Sequence, residues 1–186
     1  MTMKIYTRKG DDGTTGLYYG GRVRKDDPAP MAYGDVDEAQ AAIGLARAEV
    51  RSLVGDDSVH GLDDLLIGLE RDLWVLMADL ATDEINRSKL VAGTSQVTND
   101  MVVRLEGLID EYSARFELPK EFVVPGQNRL SALLDVARTV TRRAERSSLS
   151  AVAEDSLVLT YLNRLSDLLW TIARYAEHGV SLTARS

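Results

Sequence analysis

Apolar side chains recur at helical spacing along most of the chain. Leu65, Leu66, Leu69, Leu73 and Leu76 form one such stripe, which predicts a helix from 58 to about 81. Similar spacing predicts helices over 32–54, 128–151 and 155–178. A further helix, ending near 116, opens at Thr98-Asn99-Asp100, which reads as an N-cap followed by an acidic first turn. Gly179 supplies a stop signal for the last helix. The pattern breaks over the first 30 residues, where Gly10, Gly13, Gly16, Gly20, Gly21, Pro28 and Pro30 predict a loop-rich arm with at most a short strand around 4–7. Pro119 and Pro125 bracket a short extended piece over 121–124. Five amphipathic helices, short links and no internal repeat predict an all-α bundle, with too few strand-like segments for a sheet.

The fourth helix carries the densest polar signal. In Ala137-Arg138-Thr139-Val140-Thr141-Arg142-Arg143-Ala144-Glu145-Arg146, Arg142 lies about 40° from Arg138 and Glu145 about 20° to its other side. Leu130, Leu133, Ala137, Val140 and Ala144 occupy the opposite sector. Guanidinium groups are planar bidentate donors suited to phosphate oxygens. A solvated face with local ion pairs is the plainer reading of the same pattern.

On the fifth helix, Asn163, Asp167, Trp170 and Arg174 fall within roughly 60° of one another. A Trp aligned with Asn, Asp and Arg suits a lined pocket or a subunit interface; a Trp covering a bundle edge is the alternative. The arm contributes Thr7-Arg8-Lys9-Gly10-Asp11-Asp12-Gly13-Thr14-Thr15-Gly16. Its glycines free the backbone to turn N–H groups toward an anion, and its hydroxyls and cations suit phosphate. It lacks the Gly-Lys-Ser/Thr ending of a Walker A loop, and a merely polar arm would also fit. Asp37, on the small-residue face of Ala41, Gly44 and Ala48, is a candidate partner for an arginine of the fourth helix; an exposed first-turn acid favoured by the helix dipole is the commoner alternative.

Length and charge sharpen this picture. The 186 residues suit one domain: an arm over 1–30, a bundle over 31–178 and a tail over 179–186. With 29 acidic and 22 basic side chains the formal charge is −7, which argues against a nucleic-acid partner. The charge is uneven. The segment 137–146 holds +3, and taking that from −7 leaves −10 for the remainder. There is no Cys, so a thiolate nucleophile and a Cys-ligated metal are excluded, and His60 and His178 are too few for a His-rich site. A di-metal bundle would need paired Glu-x-x-His motifs, which neither histidine supplies. The first residues lack the apolar run of a signal peptide and no stretch approaches a membrane span, so a soluble cytoplasmic protein is expected.

Together these pieces resemble the ATP:cob(I)alamin adenosyltransferases of the propanediol-utilisation type. The resemblance runs from Ile5 to about Arg174. It is carried in order by Tyr6-Thr7-Arg8-Lys9-Gly10-Asp11-Asp12-Gly13-Thr14-Thr15, Ala32-Tyr33-Gly34-Asp35-Val36-Asp37-Glu38, Phe122-Val123-Val124-Pro125-Gly126, the arginine string of the fourth helix, and Tyr161-Leu162-Asn163-Arg164-Leu165-Ser166-Asp167. It implies a five-helix bundle with ferritin-like up-down packing, a homotrimer with active sites between subunits, and transfer of the 5′-deoxyadenosyl group of ATP to the cobalt of a reduced corrinoid, with release of triphosphate. Adenosylcobalamin would then pass to an acceptor enzyme that depends on it.

By the same resemblance, Thr7, Arg8, Lys9, Gly10, Asp11, Gly13, Thr14 and Thr15 would wrap ATP, with Mg²⁺ held mainly by its phosphates. Arg142 and Arg146 would hold the triphosphate, Glu145 and Asn163 would position the nucleotide, and Asp37 would fix Arg142 by a salt bridge. Phe122, Trp170 and Asp167 would stand on the corrinoid side, with an apolar wall excluding the lower axial ligand. The cobalt is itself the nucleophile, so the absence of a Ser, Cys or His nucleophile fits. The chain departs from the family pattern at Gln127-Asn128 after Pro125-Gly126, at Asp135 where many members have His, and at the lysine between helices two and three, for which Lys89 is only a loose match. A non-catalytic, nucleotide-binding trimer that senses or delivers the cofactor is the alternative.

Overall fold

The computed structural model describes residues 5–53, 55–56 and 59–185. Among them lie five α-helices: α1 (Pro28–Ser52), α2 (Leu62–Leu80), α3 (Asn99–Ser113), α4 (Arg129–Ser148) and α5 (Val158–Tyr175). Two short strands, β1 (Thr14–Gly16) and β2 (Arg22–Arg24), precede them, and a 3-10 turn, Glu84–Lys89, follows α2. The helical part of the expectation holds. The predicted boundaries at Val54 and Ser58 lie outside the described residues.

Local chemistry sets the helix ends. α1 starts four residues before its predicted onset because Pro28 and Pro30 occupy its first turn, where the missing N–H groups have no intrahelical acceptor to lose. The Thr98 hydroxyl caps α3 by accepting from the Met101 N–H at 3.4 Å. Asn128 and Ser131 form a reciprocal capping box on α4, with the Ser131 N–H donating to Asn128 Oδ1 at 2.8 Å. Beyond α5 the chain turns off the helix at His178 and Gly179, both with positive φ.

α4 packs between α1 and α5, while α2 lies on α1 and α3 on α5. Leu162, Leu165, Leu168, Leu169 and Ile172 of α5 are fully buried, each stabilising the fold by about 1.5–3 kcal/mol. Asp79, at the end of α2, is also buried. Its carboxylate accepts from Arg87 Nη1 at 3.0 Å, the Val97 N–H at 3.1 Å and Ser156 Oγ at 3.1 Å, pinning two long connections to the bundle.

The arm differs from expectation. Lys4 lies outside the described residues, and residues 5–7 belong to no strand. Instead β1 and β2 pair antiparallel, with Thr15 opposite Val23, so a small sheet is present after all. The Gly20-Gly21 dipeptide, with both φ positive, lets the chain reverse between them. A second extended contact joins distant parts of the chain: Val123 bridges Thr183, the Val124 N–H donates to the Leu182 carbonyl at 2.8 Å, and the Ala184 N–H donates to the Phe122 carbonyl at 2.9 Å. No described helix is long and apolar enough to cross a membrane.

Candidate active site

The arm is an ordered clasp. Asp12 Oδ1 accepts from the Thr14 N–H at 3.0 Å and the Thr14 hydroxyl at 2.7 Å. These bonds, with Arg22 nearby, hold the Asp12 carboxyl below its ordinary range. Arg22 donates to the Thr14 hydroxyl and to the Lys9 carbonyl, closing the glycine-bearing loop onto β2. Gly10 sits where a Cβ would lie 3.2 Å from Lys25 Nζ and 3.3 Å from the Thr14 carbonyl, so the close approach suits glycine. The clasp docks on the α2 end of the bundle, where the Tyr18 N–H donates to the Ala81 carbonyl at 2.9 Å.

A second cluster joins α4 to α5. Asn163 Nδ2 donates to Glu145 Oε1 at 3.2 Å, and Arg164 Nη1 donates to Asn163 Oδ1 at 2.8 Å. Arg164 also pairs with Glu106 at 2.9 Å and lies 3.8 Å from Asp167. Partial burial raises the Asp167 carboxyl above its ordinary range. Arg164 and Arg142 oppose that rise and Glu145 adds to it. Arg146 turns back to donate to the Arg142 carbonyl at 2.9 Å. Arg142 makes no ion pair among the described residues, leaving an exposed guanidinium beside this cluster.

A third feature is a cleft of about 580 Å³ between Phe122 and Trp170, with Asp135, Arg138 and Arg174 in its lining. Phe122 is 90% exposed, so its ring is free to serve as a wall. Arg174, expected on the polar face beside Trp170, is buried instead. Asp135 on α4 pairs with it at 2.6 Å and Glu177 just past α5 at 2.9 Å, and two carboxylates make burial of its charge tolerable. Its Cζ lies 5.7 Å from the Trp170 ring centre.

The sequence model of the family described as cobalamin adenosyltransferase matches residues 5–176. The chain belongs to that family. A corrinoid adenosyltransferase of Mycobacterium bovis is 45% identical over 179 residues, covering 94% of this chain and 89% of the relative. One from Citrobacter freundii is 39% identical over 177 residues, covering 94% and 95%. Among solved structures, a phenylalanine-to-histidine variant of a PduO-type ATP:corrinoid adenosyltransferase from Lactobacillus reuteri, complexed with cobalamin and ATP, superposes with a TM-score of 0.84. It is 32% identical and covers 98% of this chain and 97% of its own.

Within this adenosyltransferase chain the anticipated residues fall into separate groups. Thr7, Arg8, Lys9, Gly10, Asp11, Gly13, Thr14 and Thr15 line the clasp, whereas Arg142, Glu145, Arg146 and Asn163 share the α4–α5 cluster. No hydrogen bond or ion pair joins the clasp to Arg142 or Arg146 among the described residues. Phe122 and Trp170 do face one cleft. Asp167, placed on the corrinoid side by resemblance, lies 3.8 Å from Arg164, one helical turn before Trp170.

The expected Asp37–Arg142 salt bridge is not made within the chain. Arg143 takes the acids of α1, pairing with Asp35 at 3.6 Å and with Glu38. Asp37 is exposed and borders a groove toward α2 with Gln40, Ala41, Gly44, Glu70 and Trp74. α2 does approach the small-residue face closely: a Cβ on Gly44 would lie 3.0 Å from Glu70 Oε1.

Sequence reasoning passed over Arg22, Arg164 and the burial of Arg174. The Arg-Val-Arg alternation after Gly20-Gly21 was a strand signal for the first, and adjacency to Asn163 a signal for the second. For the third, Glu177 three residues on was the one local signal, while Asp135 lies 39 positions away.

Proposed function

We propose that the protein transfers the 5′-deoxyadenosyl group of ATP to the Co(I) of a reduced corrinoid, releasing triphosphate. The observation that supports this most is the pairing of two sites on one bundle: an arginine-rich α4 edge suited to phosphates, and an aromatic cleft suited to a flat macrocycle. The cobalt's electron pair forms the bond to C5′ while the C5′–O5′ bond breaks, and triphosphate departs with that bonding pair. No protein nucleophile is required. The chain's tasks are to orient C5′ in line and to stabilise charge on the leaving group.

Arg142 and Arg146 would meet the triphosphate, Glu145 and Asn163 the nucleoside, and the clasp residues Thr7 to Thr15 would wrap the phosphates. Mg²⁺ would accompany ATP, held mainly by phosphate oxygens and supplying charge neutralisation. Phe122 and Trp170 would flank the corrin, with an apolar wall below the cobalt that favours Co(I) by keeping a lower ligand away.

No hydrogen bond or ion pair joins the clasp or Asp37 to Arg142 among the described residues, and Asp37 borders the groove toward α2. Both observations support a homotrimer in which one subunit's clasp and Asp37 complete the arginine site of the next. The chain would act as one domain in the cytoplasm and hand adenosylcobalamin to an enzyme that uses it. A non-catalytic trimer is not favoured, since the relatives it resembles throughout its length are named as adenosyltransferases. Incubation with ATP, Mg²⁺ and chemically reduced cob(I)alamin tests the reading. Adenosylcobalamin is expected; ATP binding without any product contradicts it.

A further inference from the structure

Phe122 sits on a proline-bounded loop, not on a helix, and its ring is almost fully exposed. Such a segment keeps its place only if something outside it does the holding. Here the holder is the tail, whose residues 182–184 pair with 122–124 through the Val124 and Ala184 amides. The tail is itself short and mostly exposed, so it too needs an anchor.

That anchor is a buried run of alternating charges. Arg138 Nε meets Asp135 Oδ1 at 3.0 Å, and Asp135 Oδ2 meets Arg174 at 2.6 Å. Arg174 meets Glu177 Oε1 at 2.9 Å, and Glu177 Oε2 accepts from the Ser181 hydroxyl at 2.6 Å. The side chains of Asp135, Arg174 and Glu177 are 5%, 1% and 0% exposed, so each charge depends on its neighbours for compensation. The run begins on α4, crosses α5 and ends one residue before the tail strand. Arg174 also stands against the Trp170 ring, on the opposite side of the cleft.

We propose that Asp135, Arg174, Glu177 and Ser181 form a positioning relay that locks the tail onto residues 122–124, so that one buried guanidinium sets the distance between Phe122 and Trp170. These residues act through the two aromatic rings and take no part in the chemistry. That the cleft so shaped receives a corrinoid rests on the adenosyltransferase reading; the relay itself does not.

Arg174→Ala leaves the buried Glu177 without its cation and Asp135 with Arg138 alone, and can abolish folding, so the test uses the far end of the relay. In the full chain, amide hydrogen exchange is followed by NMR for wild type, Ser181→Ala and Ser181→Thr. Ser181→Ala is expected to speed exchange at Val124 and Ala184 about tenfold while leaving the Leu168 amide of α5 unchanged, and Ser181→Thr to restore protection. Unchanged exchange at Val124 and Ala184 overturns the relay. Steady-state kinetics then read the consequence: Ser181→Ala is expected to raise KM for cob(I)alamin severalfold without changing KM for ATP. Faster exchange with unaltered corrinoid KM overturns the positioning role. A wild-type protein without transferase activity refutes the functional reading instead, and the exchange measurement still decides the relay.

Discussion

Asn163 Nδ2 donates to Glu145 Oε1 at 3.2 Å, tying α5 to α4 at the point where the exposed Arg142 guanidinium emerges. Both side chains are only half-buried, so the bond orients groups at a site more than it holds the fold. Asn163→Ala is expected to raise KM for ATP about tenfold, the scale of one lost hydrogen bond to a charged partner, with little change in melting temperature. Parallel kinetics and thermal denaturation check this.

Arg142 and Arg146 are exposed, and Arg142 lacks an ion-pair partner among the described residues. Their contribution is expected to appear as charge builds on departing triphosphate. Arg142→Ala and Arg146→Ala should each lower kcat by about 100-fold or more while leaving the oligomer intact. Turnover assays with sedimentation analysis of the same samples test both halves.

If Asp37 reaches Arg142 across a subunit boundary, the two variants should not be additive. Asp37→Asn and Arg142→Lys are expected to show a coupling energy of about 1 kcal/mol or more in a double-mutant cycle on kcat/KM. Independent effects would place Asp37 elsewhere.

Two acids carry opposite pH signatures. The folded Asp167 carboxyl is raised, so its contribution to stability is full below the ordinary carboxylate range and is lost as pH rises through the folded value. Asp167→Asn should therefore gain in stability relative to wild type as pH climbs out of that range. Asp12 is lowered, so its contribution is present above that range and lost as pH falls through the folded value. Asp12→Asn should lose its relative disadvantage in acid. Melting temperatures across pH 3 to 8 (on the order of the carboxylate range and above it) read both signs.

Asp79→Ala removes the acceptor for Arg87, Val97 and Ser156 at once and leaves a largely buried guanidinium with Asp155 as its one remaining ion-pair partner among the described residues. A loss of about 3–5 kcal/mol in unfolding free energy is expected from denaturant titration. A loss under 1 kcal/mol would mean these connections contribute little to stability (roughly the worth of one ordinary hydrogen bond).

How far the sequence could be read depended on the range of each interaction. Helices were legible because leucine spacing and the Thr98 and Gly179 boundary signals act within a few residues. The Arg138–Arg146 edge was legible for the same reason. Arg174 was misread because a helical wheel gives direction but not what stands opposite: Asp135 comes from α4, and Glu177, three residues on, sits just past the end of α5. The 122–124 to 182–184 pairing was illegible, since neither strand carries an alternating pattern long enough to register. The β1–β2 hairpin fell between these cases: Gly20-Gly21 marked the reversal, but three-residue strands gave almost no period to follow. Arg143 taking Asp35 and Glu38 shows the same limit on α4, where neighbouring arginines compete for one set of acids.

The most direct measurement is the product balance of a single incubation with ATP, Mg²⁺ and cob(I)alamin. Adenosyl transfer by attack at C5′ predicts adenosylcobalamin and intact triphosphate in equal amounts, with no ADP. Formation of ADP and phosphate, with the cobalt left unalkylated, would contradict it.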